Sequence, residues 1–175
     1  MGTTVTTDQR GFSLIETMIA LGILAIVAAG VLPLGIIAAK STENHGHLNA
    51  RTTEYAQDKI EQLMALAYGD AATDTRVFPA LAAGGSGLAV GGSIDTAAPV
   101  NLYVDYLDVN GNVLAGNPPA NWYYMRAWQI SLFTTPPGRV NLKQITVISR
   151  VNALSLGGPG LVPQSTVTVL KTSPF

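Results

Sequence analysis

The sequence has no cysteine, which excludes disulfide bonds, thiolate catalysis and cysteine-bound zinc sites. It is also poor in charge, since Asp, Glu, Lys and Arg make up 12% of its 175 residues, against about 25% in an average soluble domain. The formal net charge is −1, so no strong attraction to nucleic acid or anionic lipid follows. Because 47% of the residues are hydrophobic, the composition argues against disorder and disfavours a plain cytosolic enzyme.

The apolar residues are concentrated in one N-terminal run, Phe12 to Ala39, which contains a single ionisable side chain, Glu16. A helix needs about 20 apolar residues to span a bilayer. The apolar part of a cleaved secretory signal is only about 7–15 residues long. The run therefore predicts a membrane-spanning helix. The flanking charges do not set its orientation, because Arg10 lies on one side and Lys40 and Arg51 on the other.

Glu16 is unusual because a carboxylate within the hydrocarbon costs a few kcal/mol. One interpretation places it in the first turn of the helix, where it would complement the helix dipole and form a capping box with Ser13. The other interpretation gives it a charged partner or a functional role. The residue taken alone leaves both interpretations open.

The residues around Glu16 carry a resemblance to a known family. The stretch RGFSLIE, from Arg10 to Glu16, is followed directly by the apolar run and resembles the N-terminus of type IV prepilins and pseudopilins. The resemblance implies that a membrane peptidase cuts after Gly11 and methylates the new amino terminus of Phe12. It also implies a partner for Glu16, because the Phe12 amine of a neighbouring subunit can neutralise its carboxylate and set the register of a filament.

Pro33 lies within the apolar run, close to Gly30. A proline inside a helix removes a backbone hydrogen bond and kinks or breaks the helix, although membrane helices tolerate both residue types. Many type IV pilins have a proline at the matching place, and their helix unwinds around it in the filament. The resemblance therefore implies a helix hinge at Gly30 and Pro33.

Helical patterning continues over residues 40–68, with an apolar stripe and charged residues on the other faces. The stripe consists of Leu48, Tyr55, Ile60, Leu63 and Ala67. The charged residues, all expected to face solvent, are Arg51, Glu54, Asp58, Lys59 and Glu61. His45 and His47 are two residues apart and point to different faces of a helix, which favours a solvated pair over a metal site.

The C-terminal part of the chain is patterned as β-structure. Residues 69–99 predict a Gly- and Ala-rich connecting loop without a nucleophile elbow or nucleotide-binding motif, and Asn110-Gly111 predicts a hairpin. The expected strands are Leu102–Val109, Asn112–Ala115, Trp122–Phe133, Val140–Val151 and Gln164–Lys171. The sequence therefore predicts an α+β fold, in which the amphipathic half of a long helix covers an antiparallel sheet of about four to five strands.

The resulting division of the chain has five segments. They are a leader (1–11), a transmembrane and assembly helix (12–39), an amphipathic helix continuing it (40–68), a connecting loop (69–99) and an antiparallel sheet domain (100–175).

Two groups of side chains could suggest binding sites but favour structural roles. The aromatic residues Trp122–Tyr124 and Trp128 have one basic residue among them, Arg126, which favours core packing over a nucleic-acid stacking surface. Asp105 and Asp108 are three apart and face opposite ways on a strand, which disfavours a shared calcium or acid–base site. We expect both carboxylates to be solvated or associated with turns.

The resemblance implies a structural subunit and not an enzyme. It implies no bound cofactor or metal ion and no nucleic-acid partner. The segment EYAQDKIEQLMALAYGD, residues 54–70, together with the low-charge loop and the strands that follow it, resembles minor pilins and minor pseudopilins. Many major pilins carry a cysteine pair that this chain lacks, so a minor type IV pilin is the first interpretation. The second interpretation is a minor pseudopilin of a type II secretion system, and the third is a major pilin. Alternatives of other classes are an uncleaved single-span sensor or adaptor and a membrane-anchored enzyme, although the sequence contains no recognisable catalytic constellation.

The resemblance also implies partners and a location. The expected partners are other pilin subunits, the prepilin peptidase, the inner-membrane assembly machinery and, before assembly, membrane lipid. The expected location is the inner membrane in a single pass, with the C-terminal domain outside the cytoplasm. A cell-surface pilus or a periplasmic pseudopilus follows after assembly.

Overall fold

The computed structural model of the chain describes residues 13–133, 142–156 and 161–173. Within them a long helix is followed by a six-stranded antiparallel sheet and one short 3-10 helix. In chain order the elements are α1 (Leu14–Ala65), β1 (Gly91–Gly92), β2 (Val104–Leu107), β3 (Val113–Leu114), β4 (Tyr124–Leu132), β5 (Leu142–Val151), the 3-10 helix (Ala153–Leu156) and β6 (Gln164–Thr172). The sheet order is β3-β2-β4-β5-β6, and β1 pairs with β4. The predicted α+β, pilin-like fold is confirmed.

The chain divides into two compact units, residues 1–44 and 45–175. In the first unit α1 is helical through Pro33, and its large apolar side chains from Leu14 to Ile37 are all exposed. Its length and composition are sufficient to cross a membrane.

In the second unit, residues of α1 pack on one face of the sheet. The central cluster joins Ala56, Ile60 and Leu63 of the helix to side chains of β4 and β5, namely Trp128, Ile130, Ile145 and Val147. These strand residues alternate in sequence because successive side chains of a strand point to opposite faces. The amphipathic stripe therefore covers the sheet as predicted.

The opposite face of the sheet carries its own smaller apolar cluster. Its buried members are Val104, Tyr106, Met125, Ala127 and Ile148. Trp122 precedes β4 and packs edge-on against Tyr106, with the ring centroids 5.4 Å apart. Alternation along the expected strand Trp122–Phe133 would place Trp122 on the same face as Tyr124 and Trp128. That expectation is wrong, because the strand begins only at Tyr124.

The Asn110-Gly111 hairpin is present, with shorter strands than the pattern predicted. Tyr106 pairs with Leu114 and Leu107 with Val113, and Gly111 has a φ of 89°, which favours glycine. The Asp108 carboxylate accepts hydrogen bonds from the backbone amides of Asn110 and Asn112, each at 2.8 Å. Asp108 is thus associated with a turn, as expected.

One lysine of the sheet binds the last turn of α1, and a second binds the chain that follows it. The last turn of the helix contains no basic residue of its own. The Lys171 Nζ donates to the Met64 carbonyl at 2.5 Å, and the Lys143 Nζ donates to the Tyr68 and Leu88 carbonyls, each at 2.7 Å. Lys171 therefore lies where the helix dipole favours positive charge.

Candidate functional site

Glu16 lies in the first turn of α1. The Ser13 carbonyl accepts hydrogen bonds from the amides of Glu16 and Thr17, at 3.0 and 3.1 Å. The residue itself is exposed. A carboxylate in this position complements the positive end of the helix dipole. The peptidase and methylation residues, Gly11 and Phe12, lie outside the described residues.

The surface of α1 around Glu16 is largely apolar. The neighbouring Ile15 and Ile19 are 67% and 59% exposed, and the most apolar stretch of the helix is not buried against any described residue. An exposed apolar surface of this extent marks contact with lipid or protein.

Gly30 and Pro33 lie within the continuous part of the helix. A methyl group added at Gly30 meets no atom of the described chain within 4 Å, so the glycine is not required there by close packing. The hinge predicted at these two residues concerns the assembled filament and stays a prediction.

The second unit contains a group of four charged side chains, three of them buried, which we call the charge cluster: Asp58, Lys59, Asp105 and Arg126. Asp105 on β2 and Arg126 on β4 are direct partners in the sheet register. The Arg126 Nε and Nη2 donate to the two oxygens of Asp105, each at 2.8 Å. The Arg126 Nη1 donates to Asp58 at 2.7 Å, so the guanidinium joins the sheet to α1.

Lys59 completes the charge cluster from the helix. Its Nζ lies 2.6 Å from Asp105 Oδ2 and donates to the Thr75 carbonyl at 2.6 Å and to Gln62 Oε1 at 3.2 Å. These contacts match the three donors of an ammonium group. The same Nζ lies 4.5 Å from the centroid of the Trp128 ring, a cation–π distance.

The pKa values follow from burial and pairing. Burial lowers the pKa of Lys59 to about 8, although Asp105 opposes the shift. Burial alone would raise the pKa of Asp105, but the positive charges of Lys59 and Arg126 outweigh it and hold that pKa below its usual value. Asp105 is therefore a carboxylate throughout the physiological pH range.

The charge cluster corrects two sequence-based expectations. Lys59 was expected to face solvent and Asp105 to be solvated or turn-associated, yet both are buried. Arg126, the basic residue among the aromatic side chains, is buried with them. One signal in the sequence points to this arrangement: residues of opposite charge lie within two apolar, aromatic-rich strands, where cross-strand pairing would neutralise them.

The charge cluster is suited to holding the fold rather than to catalysis. Its two acids balance its two bases, and three of its members are buried, whereas the Asp58 side chain is 53% exposed. The described residues contain no group of three or more His, Asp or Glu side chains that could hold a metal ion. His45 is half-buried and His47 is exposed, and neither belongs to such a group.

Comparison with known protein families identifies a motif at the N-terminus of the chain. The family model described as the prokaryotic N-terminal methylation motif matches residues 6–32. This motif is the prepilin signature of type IV pilins and pseudopilins, so the resemblance seen in the sequence is confirmed. No curated protein sequence and no solved structure matches the chain.

The chain thus carries the N-terminus of a type IV pilin-like or pseudopilin precursor. The motif implies processing by a prepilin peptidase and assembly with other pilin subunits, and it points to a structural subunit rather than an enzyme. Together with the long apolar helix, it fits a precursor anchored in the inner membrane.

Proposed function

We propose that this protein is a minor pilin that helps to assemble or modify a type IV pilus. The peptidase cuts after Gly11, Phe12 is N-methylated, and residues 12–39 hold the subunit in the inner membrane with the C-terminal domain outside the cytoplasm. The same residues then pack among neighbouring helices in the filament core. The main support for this proposal is the methylation motif at residues 6–32, which continues into a long, exposed apolar helix.

Glu16 is the assembly determinant in this proposal. It is the only ionisable residue between Phe12 and Ala39, and it lies on an apolar surface where an unpaired charge is costly. Cleavage creates an amine at Phe12, and pairing this amine with Glu16 of a neighbour neutralises both charges. The contact has a direction, so it sets the axial offset between subunits. Gly30 and Pro33 then provide the place where the helix unwinds in the filament.

The experiment compares Glu16→Gln with Glu54→Gln, a control at an exposed carboxylate on the same helix. We expect both variants to be cleaved and inserted normally, while Glu16→Gln is depleted from sheared filaments because the amine has lost its partner. Mass spectrometry of the mature chain should find N-methylated Phe12. Normal incorporation of Glu16→Gln would contradict the assembly role.

Two further outcomes separate the alternatives. An intact Met1 terminus in cells that possess the peptidase identifies an uncleaved anchor and overturns the proposal. A chain that is required for protein secretion but is absent from surface filaments is a pseudopilin of a type II secretion system.

A further inference from the structure

The hairpin between β2 and β3 contains a chemically reactive pair of residues. Asn110 is followed by Gly111, and of the asparagines in the sequence it alone precedes a glycine. The backbone nitrogen that follows an asparagine can attack the asparagine side chain, and a bulky side chain on the following residue obstructs this attack. Glycine has no Cβ, so the nitrogen of Gly111 is unobstructed.

The side-chain amide of Asn110 is not held in place by the fold. Asn110 is exposed, and its side chain forms no hydrogen bond with the residues that the structure describes. Asn112 lies in the same hairpin and is also exposed, but its Nδ2 donates to Asp108 Oδ2 at 2.8 Å. It is followed by Val113, which is branched at Cβ. Asn112 is therefore a matched but much less reactive neighbour.

The attacking nitrogen is only weakly bound. The Gly111 nitrogen donates to the Asp108 carbonyl at 3.2 Å, which is the long end of the range for such hydrogen bonds. The Asp108 carboxylate holds the turn through shorter bonds, at 2.8 Å, from the backbone amides of Asn110 and Asn112. Loss of the Gly111 proton therefore breaks one long hydrogen bond and leaves the shorter ones in place.

We propose that Asn110 is a site of spontaneous deamidation. Hydroxide removes the proton from the Gly111 nitrogen, which then forms a bond to Cγ of Asn110. The bond from Cγ to Nδ2 breaks, and the side-chain nitrogen takes a proton from water and leaves as ammonia. The remaining succinimide ring is opened by water. Attack at Cγ gives aspartate, and attack at the main-chain carbonyl carbon gives isoaspartate.

The products change the hairpin in two ways. Both place a second carboxylate in the loop that already contains Asp108. Isoaspartate also routes the main chain through Cγ and so lengthens it by a methylene group. Gly111 has little room for this change, because a Cβ there would lie 2.7 Å from the hydroxyl of the buried Tyr55. Isoaspartate therefore weakens the pairing of β2 with β3. The reaction needs neither the membrane nor a filament.

The test follows the full chain in detergent micelles at neutral and at mildly alkaline pH, beside two variants. Asn110→Gln keeps an amide but would have to form a larger ring, which closes more slowly. Because the Asn110 side chain is exposed, this variant should unfold at the wild-type urea concentration. Asn112→Gln removes the neighbouring asparagine and leaves Asn110 in place. The wild-type chain in urea gives the rate for an unfolded Asn-Gly pair.

Two measurements locate the product. Mass spectrometry of chymotryptic peptides finds the mass difference between an amide and an acid. Isoaspartyl methyltransferase with labelled S-adenosylmethionine counts the isoaspartate. We expect both signals at residue 110 in the folded wild type and in Asn112→Gln, faster at alkaline pH and within severalfold of the rate in urea. Asn110→Gln should give severalfold less. The isoaspartate fraction should unfold at a lower urea concentration than unmodified protein.

Three results overturn the inference. If residue 110 stays an amide in the folded chain while the chain in urea reacts, the turn protects the residue. If neither sample reacts, the Asn-Gly pair is inert. If the new acid lies at residue 112, or if Asn110→Gln accumulates isoaspartate as fast as the wild type, the site is assigned to the wrong residue.

Discussion

Replacing Asp105 with asparagine tests whether the charge cluster holds the fold. The substitution preserves shape but removes the negative charge that Lys59 and Arg126 share. Arg126 keeps its contact with Asp58 at 2.7 Å, whereas Lys59 keeps only neutral oxygen acceptors, those of Thr75 and Gln62. An ammonium group that is fully buried is then left without a counter-charge.

The expected loss of stability can be compared with that at a surface pair. Removing one partner of a buried ion pair costs about 3–5 kcal/mol, whereas an exposed pair contributes roughly 0–1 kcal/mol. The Arg51–Glu54 pair, with side chains 44% and 62% exposed, is the matched surface case. With a urea dependence of about 2 kcal/mol per M, a loss of about 4 kcal/mol lowers the unfolding midpoint by about 2 M.

The assay is urea unfolding of the full chain in detergent micelles, followed by tryptophan fluorescence. Both tryptophans of the sequence, Trp122 and Trp128, lie in the second unit and report on it. A double variant, Lys59→Met with Asp105→Asn, should lose less stability than the sum of the single variants, because no unpaired charge remains at the Lys59 position. If Asp105→Asn destabilises the protein no more than Glu54→Gln, the reasoning about the cluster is refuted.

Two further predictions concern the loss of stability in acid and the effect of a substitution at Gly111 in the hairpin. Because the pKa of Asp105 is held below its ordinary value of 3.8, its stabilisation is present above that pH and is lost as the pH falls through the lowered pKa. The free energy of unfolding should therefore fall more steeply below about pH 4 in the wild type than in Asp105→Asn, and equal slopes would contradict this. Gly111→Ala should destabilise the protein by roughly 1–3 kcal/mol, because φ is 89° and a Cβ would lie 2.7 Å from the Tyr55 hydroxyl. In the same urea assay the control Gly46→Ala, in open space on the helix, should be neutral or stabilising by up to about 1 kcal/mol, and equal losses in the two variants would refute the hairpin argument.

Features with a strong local signal could be predicted from the sequence. The apolar stripe with Ile60 and Leu63 follows the helical period, and the alternation of Ile145 and Val147 follows that of a strand. The hairpin at Asn110-Gly111 depends on the conformation of a few adjacent residues. The methylation motif is likewise contiguous, so the sequence alone indicated the class of precursor.

The charge cluster could not be predicted in this way because its members are far apart in the chain. Asp58 and Lys59 have the spacing of solvent-facing residues on an amphipathic helix, and only the sheet packed against them shows that Lys59 is buried. The pairing of Asp105 with Arg126 depends on the register between β2 and β4. A slip of one residue would turn the side chains of one strand to the opposite face of the sheet and separate the pair. Lys171, which binds the last turn of α1, lies 107 residues away from its partner Met64 and could not be assigned from the sequence either.

The charge cluster also gives the second unit a resistance to mechanical load. Apolar contacts such as those of Ala56 and Leu63 are non-directional, whereas the ion pairs of the charge cluster require particular atoms to stay in contact. A shift of one residue moves a helix by about 1.5 Å and turns it by about 100°, which would separate Lys59 from Asp105 and bury an uncompensated charge. A force along the axis of α1 therefore has to break the ion pairs between the helix and the sheet. If a subunit is drawn into a filament by its helix, these ion pairs keep the sheet attached to the helix.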